Sequence, residues 1–305
     1  MKTWIKWWII LKRQVNKNKL KQKIGVLVRL TRIRLSLMVT FSAVTGFFLT
    51  GSSPNLSLLY LFGGVFFLAA GTTVLNQIQE CRRDSVMPRT RQRPIPTGEI
   101  SRSGASLVSA ILLVGGSLLL SLNGWLPMAL GLLNIVFYNL IYTPLKTSSW
   151  LAIIPGAVVG GIPPLMGWTS AGFYLFHPNA LFISIFVFLW QIPHFWLLMI
   201  KYGKEYEMAG FSSISGMLND RQIKSVVFYW GVFTSLFLML FPLFGFSFKP
   251  MLLTLLIGMN VLFILFFHRF LFKAENSKTI HKAFILINSY ALAVFIFLVF
   301  NALVR

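Results

Sequence analysis

Asn76, Glu80 and Asp84 stand four residues apart in the run Asn76-Gln-Ile-Gln-Glu80-Cys-Arg-Arg-Asp84. On a helix that spacing stacks three oxygen-bearing side chains on one face, one turn apart. Oxygen ligands in a row suit a hard cation. Mg2+ in particular takes one or two carboxylates and completes its shell with water and substrate phosphate oxygens. The plainer use of the same acids is a set of loop ion pairs with Arg82, Arg83, Arg89 or Arg91. A second acidic cluster lies in Lys201-Tyr-Gly-Lys-Glu205-Tyr-Glu207. Residues two apart do not share a helix face, so one carboxylate of this pair is expected to meet a metal. Glu205 is the one favoured, and Glu207 is expected to pair with a lysine at the surface.

Basic groups flank both clusters. Pro88-Arg89-Thr-Arg91-Gln-Arg93-Pro94 sets three arginines at alternating positions between prolines. Guanidinium groups fork onto phosphate oxygens, and proline restricts the loop that carries them. Beside an acid cluster that could hold a metal, Arg89, Arg91 and Arg93 would make a pyrophosphate site; alone, they would serve only to orient the chain in a membrane. Tyr142 and Lys146, in Tyr142-Thr-Pro-Leu-Lys146, stand where they can reach phosphate, or else act as an interfacial aromatic and a snorkelling lysine. Lys204 is a further cation beside Glu205.

The elements that carry these residues are membrane spans. Of 305 residues, 56% are hydrophobic and 11% charged. Long uncharged apolar runs cross a hydrocarbon core as helices, because lipid offers the backbone no hydrogen bonds. The fold class is therefore all-α, a polytopic bundle of nine transmembrane helices, at 35–50, 57–78, 104–121, 126–143, 150–168, 179–200, 226–244, 250–268 and 283–303. With the N-terminus in the cytoplasm, 26 of the 28 Lys and Arg fall on the inner side, as do all seven acids. Such a bias orients the bundle and puts both clusters at one membrane face. Residues 1–34, with Trp4, Trp7 and Trp8 among basic residues, form a separate interfacial segment or a partly disordered tail, and 35–303 form the membrane domain. The net charge of +21 is an orientation feature, and no soluble domain is present to recognise nucleic acid. Cys81 is the only cysteine, which excludes an internal disulfide.

Asn-x-x-x-acid-x-x-x-Asp after span 2, an acidic motif after span 6 and nine helices resemble the UbiA-type intramembrane prenyltransferases over about residues 30–300. Met87-x-Arg89-Thr90-Arg91-x-Arg93-Pro94, Pro163-Pro164-Leu-Met-Gly167-Trp168 and Pro193-His194-Phe195-Trp196 are similar to segments of the branch that prenylates protoheme IX. This sequence departs from the family pattern at Glu80 and Glu205, where Asp is usual, and at Arg82, where another acid is usual. The resemblance implies transfer of the farnesyl group of farnesyl diphosphate to a vinyl group of heme b, giving heme o. It implies Mg2+ held by Asn76, Glu80, Asp84 and Glu205, and diphosphate on Arg89, Arg91, Arg93, Lys146 and Lys204. His194, in an apolar helix after Pro193, could ligate heme iron, contact the substrate or hydrogen-bond another helix. The resemblance also implies residence in a bacterial inner membrane, with a heme a synthase or terminal-oxidase assembly factors as partners. Two other readings fit part of the pattern. One is a prenyltransferase acting on a quinone precursor or a chlorophyll-type ring. The other is a transporter, which would carry ionisable groups near the midplane rather than at one face.

Overall fold

The computed structural model describes residues 21–212, 218–246, 248–272 and 277–304. Trp4, Trp7 and Trp8 of the expected interfacial segment lie outside these. Among the described residues there are no strands. Nine long helices follow in order among these residues: α1 Ile33–Phe48, α2 Leu56–Gln79, α3 Arg102–Ser121, α4 Trp125–Leu145, α5 Trp150–Ser170, α6 Pro178–Met208, α7 Asp220–Phe244, α8 Pro250–Phe272 and α9 Ser277–Leu303. Eight are long and apolar enough to span a bilayer, and α1 is a shorter apolar helix of 16 residues. The chain is an integral membrane protein, and the outward faces show it. Leu107, Ile111, Val114 and Leu118 recur at helical spacing along α3 and are all exposed. Such a stripe is stable only against lipid.

Two helices run past the lengths that hydropathy predicts. Helix α6 continues from the apolar span through Lys201–Glu207 to Met208, so the second acidic cluster is helical rather than looped. Helix α7 starts at Asp220 rather than 226, behind a capping box in which Asn219 and Gln222 satisfy each other's backbone N–H groups. Polar residues extend a helix into the interface once a cap closes its end, and apolar run length cannot show this.

Each helix packs on its chain neighbours, and α9 closes the ring against α1. Helices α1 and α5 also cross at very short range. A methyl group at Gly46 would overlap the Pro164 carbonyl, and one at Gly167 would overlap that of Ala43. Glycine here lets two backbones touch, the usual basis of helix association in lipid. Gly161 does the same for α5 on α6, against the Ser184 carbonyl, and Gly160 makes room for the Gln191 side chain. In α6, Pro193 has no N–H for the Leu189 carbonyl, and Trp230 of α7 supplies one at 3.0 Å.

Candidate active site

A cavity of about 850 Å³ opens inside the ring. One end is charged and the remainder apolar. The charged end is lined by Arg32, Arg34, Arg89, Arg93 and Lys146 against Glu80 and Asp84. Five cations facing two carboxylates leave a surplus of positive charge in a confined space, where anions bind strongly. The apolar part runs past Met38, Val65, Leu68, Val159, Met166 and Phe295.

Asn76, Glu80 and Asp84 all line the cavity. The backbone ladder carries them there: Glu80 N–H donates to Asn76 O at 2.9 Å and Asp84 N–H to Glu80 O at 2.8 Å, so the one-face relation survives the end of α2. All three are buried. The Asn76 amide nitrogen donates to Thr143 Oγ1 at 3.0 Å, and that hydroxyl donates to Tyr138 O at 2.8 Å. With its nitrogen engaged, Asn76 offers its carbonyl oxygen to the cavity. Asp84 Oδ2 accepts from Arg93 at 2.5 Å, and the Asp84 backbone carbonyl accepts from Thr90 Oγ1 at 2.9 Å. Burial raises the Asp84 pKa above the ordinary carboxylate value, against the opposing pull of Arg93. Asp84 Oδ1 is buried with no hydrogen-bond partner. Lys146 forms an ion pair with Glu80 and lies 4.6 Å over the Tyr142 ring.

The arginine loop separates its three members. Residues 87–98 wind as successive tight turns, with Arg91 N–H donating to Met87 O and Thr97 N–H to Arg93 O. Four apart in such turns, Arg89 and Arg93 share a side and line the cavity. Two apart from each, Arg91 is exposed on the other side. Arg89 donates to Tyr206 Oη at 3.2 Å and lies 4.9 Å over the Tyr202 ring. Met87, Ala209 and Phe211 form a small core, and Ser212 N–H donates to Lys146 O at 2.9 Å. Through these contacts the loop after α2, the turn after α4 and the end of α6 meet as one unit.

The rest of the second cluster is not brought to the cavity. Lys204 and Glu207 are exposed on the last turns of α6. Glu205 does not line the cavity, although its Oε2 is buried without a partner. Among the described residues, no three of His, Cys, Asp and Glu come together as a metal site of their own. The oxygens available to a cation here are the Asn76 carbonyl and two carboxylates, which is a hard-ion set that needs substrate oxygens to complete it.

Tyr142 and Tyr138 reach the cavity through an irregularity. Residues Val136–Tyr142 of α4 are π-helical, and the two rings lie 5.5 Å apart. Asn139 fixes the stretch to α2, its amide donating to Gln79 Oε1 at 3.0 Å while Gln79 donates to Asn139 O at 3.1 Å. Single π turns are frequent at functional sites. His194, with Trp190, Phe195 and Phe284, lines the apolar part. Sequence reasoning missed Arg32 and Arg34. Arg32 stands just before α1 with φ 47° and ψ 52°, the only described non-glycine residue with positive φ. Their signal was a pair of arginines at the very edge of the first apolar run.

The chain belongs to the UbiA prenyltransferase family, whose profile matches residues 37–299. Among its curated relatives are proteins named protoheme IX farnesyltransferase. That of Geobacter sulfurreducens is 39% identical over 181 residues, 59% of this chain and 67% of the relative. That of Cytophaga hutchinsonii is 40% identical over 187 residues, 60% of this chain and 64% of the relative. That of Christiangramia forsetii is 30% identical over 284 residues, 90% of this chain and 93% of the relative. A solved digeranylgeranylglyceryl phosphate synthase shares the fold at 18% identity, with a TM-score of 0.74 over 93% of this chain and 99% of that one. So does a UbiA homolog from Archaeoglobus fulgidus bound to GPP and Mg2+, at 14% identity and a TM-score of 0.64 over 88% of this chain and 99% of that one.

Proposed function

We propose that this chain transfers the farnesyl group of farnesyl diphosphate to a vinyl group of protoheme IX, making heme o. The observation that carries it is the cavity itself, with five cations and two carboxylates at one end and an apolar, aromatic interior beyond. Relatives of 30–40% identity bearing the protoheme IX farnesyltransferase name support the choice of acceptor.

In the reaction the C1–O bond of the farnesyl diphosphate breaks and the electron pair leaves with the diphosphate. C1 then bonds the outer vinyl carbon. Water adds at the inner carbon and loses a proton. Arg89, Arg93 and Lys146, with Arg32, hold the leaving diphosphate and neutralise the charge it gains, beside the buried Glu80 and Asp84. Asn76, Glu80 and Asp84 are assigned to Mg2+, with Glu205 at the edge of the group; when bound, that ion adds charge neutralisation at the same oxygens. The Tyr138, Tyr142 and Phe195 rings wall the space where a carbocation would form, and aromatic faces stabilise cations. The orientation we assign puts the charged end and the N-terminus in the cytoplasm of a bacterial plasma membrane, following the bias of Lys and Arg. A heme a synthase or terminal-oxidase assembly factors are the partners proposed downstream.

The test is turnover by the purified chain with heme b, Mg2+ and farnesyl diphosphate. The expected outcome is pyrophosphate release with a heme product heavier by a farnesyl and a hydroxyl group. Prenylation of an aromatic acid or a quinone precursor, with heme untouched, would overturn the assignment.

A further inference from the structure

His194 is the only one of the four histidines that faces the cavity. His177 stacks on Trp168 at 4.7 Å, His268 packs on Phe228 at 5.3 Å, and His281 lies 3.2 Å from Lys201. The imidazole of His194 is boxed by flat rings. Its centroid lies 5.0 Å from Trp190, 5.6 Å from Phe195 and 4.9 Å from Phe284. Trp190 is fixed in turn, its indole N–H donating to Ile287 O at 3.0 Å. The box is preorganised, and its inner surface is apolar and aromatic, as a flat macrocycle requires. His194 Nδ1 is buried with no hydrogen-bond partner. Asn288 donates its amide N–H to Phe284 O at 2.5 Å and accepts from the imidazole with its carbonyl oxygen. A polar edge carried this deep in an apolar wall, without a protein partner, marks a place where a ligand supplies one.

We infer that His194 is an axial ligand to the iron of the porphyrin substrate, bonding through the ring nitrogen that the protein leaves without a partner. This rests on protoheme IX being the acceptor and adds where its iron sits. The unpartnered nitrogen is Nδ1. Neutral imidazole binds heme iron through either nitrogen, and its strength as a ligand depends on what the other nitrogen donates to. Resident heme is commonly held by a histidine whose second N–H is given to a carboxylate or carbonyl. Here that group is the neutral amide of Asn288 rather than a carboxylate, so the bond is weaker, which suits a substrate that must leave after one turnover. Ring contacts run from this imidazole to the charged end: His194 to Phe195, Phe195 to Tyr142 at 5.9 Å, and Tyr142 to Lys146. A porphyrin ligated at His194 therefore has one edge toward the diphosphate cations. That edge is where a vinyl group must stand to take C1.

The experiment adds heme b to the purified full chain in detergent, without farnesyl diphosphate. It reads the optical spectrum and the electron paramagnetic resonance of the ferrous nitrosyl adduct. In the native chain the nitric oxide signal should be split by a second nitrogen, from the trans imidazole. His194→Gly should lose that splitting, and added imidazole should restore it, which shows that the variant is folded. His194→Met should bind heme without the splitting, and His268→Ala should match the native chain. Heme bound by the native chain and by His194→Gly with identical nitrosyl spectra would overturn the ligand assignment alone. No heme bound by the native chain would overturn the acceptor as well.

Discussion

Lys146, one residue past α4, pairs with Glu80 at the end of α2 and holds its ammonium over the Tyr142 ring. One cation thus joins a carboxylate assigned to metal and an aromatic wall. Their side chains are 19% and 8% exposed, so removing either partner strands a largely buried charge. Lys146→Met should lower kcat on the order of 10²–10³-fold, the usual loss when one donor to a developing negative charge is removed. It should also lower the melting temperature in detergent. Adding Glu80→Gln should recover the melting temperature and leave kcat low, because the ion pair is structural and the cation is catalytic. A double variant that recovers both would refute the catalytic role.

Arg89 and Arg91 are two residues apart, and opposite outcomes are expected for them. Arg89 lines the cavity against Tyr206 and Tyr202, while Arg91 is exposed on the reverse of the turn. Arg89→Ala should cost about 2 kcal/mol or more in kcat/KM, as for a charge-assisted bond to phosphate. Arg91→Ala should stay within roughly ±0.5 kcal/mol, as surface substitutions do. Steady-state kinetics with varied farnesyl diphosphate measures both.

These two arginines also show where sequence was sufficient. Asn76, Glu80 and Asp84 share a face because the helical ladder runs through all three, and ladder spacing can be counted along a chain. The arginine loop could not be counted that way. Its alternation looks extended, but the turns between Met87 and Gly98 pair 89 with 93 and turn 91 out. Lys204 is exposed for a similar reason, since α6 continues past the hydrocarbon and carries it to the surface, where Glu207 stands as expected. Arg32 depends on a left-handed backbone at a non-glycine residue, and the π-helical stretch at Tyr138 on a hydrogen-bond register. Tertiary contacts accompany each, Gln77 Nε2 to Leu30 O at 2.6 Å near Arg32 and Asn139 with Gln79 at the π-helical stretch, and neither leaves a periodic trace.

Thr143 touches no carboxylate, yet it occupies the Asn76 amide nitrogen and so turns the carbonyl outward. Thr143→Val keeps the shape and removes the acceptor. The amide is then free to rotate, and the apparent affinity for Mg2+ should fall by about 10-fold or more, the usual cost of losing a group that orients a ligand. Activity at saturating Mg2+ should change far less. A Mg2+ titration of turnover that matches the native curve would show that Asn76 is not held by Thr143.

Gly167 faces the Ala43 carbonyl across the α1–α5 crossing, with no room for a methyl group. Gly167→Ala must push two backbones apart, so overpacking of about 1–3 kcal/mol is expected. Thermal unfolding in detergent should show it. Gly25→Ala, where nothing lies within 4 Å of the added carbon, should not. Equal melting temperatures for both variants would mean that the crossing is not as close as described.

Asp84 and Glu205 test how unequal the two acidic clusters are. Asp84 is fully buried, lines the cavity, and keeps Oδ1 unpaired beside the Arg93 bond. Glu205 also has a buried, unpaired oxygen, but it stands outside the cavity wall. Both substitutions to the amide preserve volume and remove one charge. Asp84→Asn should cost several kcal/mol in kcat/KM, on the order of 10³-fold, because it removes the negative charge that a bound cation needs. Glu205→Gln should cost less than Asp84→Asn and leave Mg2+ dependence largely in place. A loss at Glu205 equal to that at Asp84, with a matching rise in the Mg2+ required, would mean that the end of α6 closes onto the diphosphate during the reaction. The second cluster would then be a full half of the metal site rather than its margin.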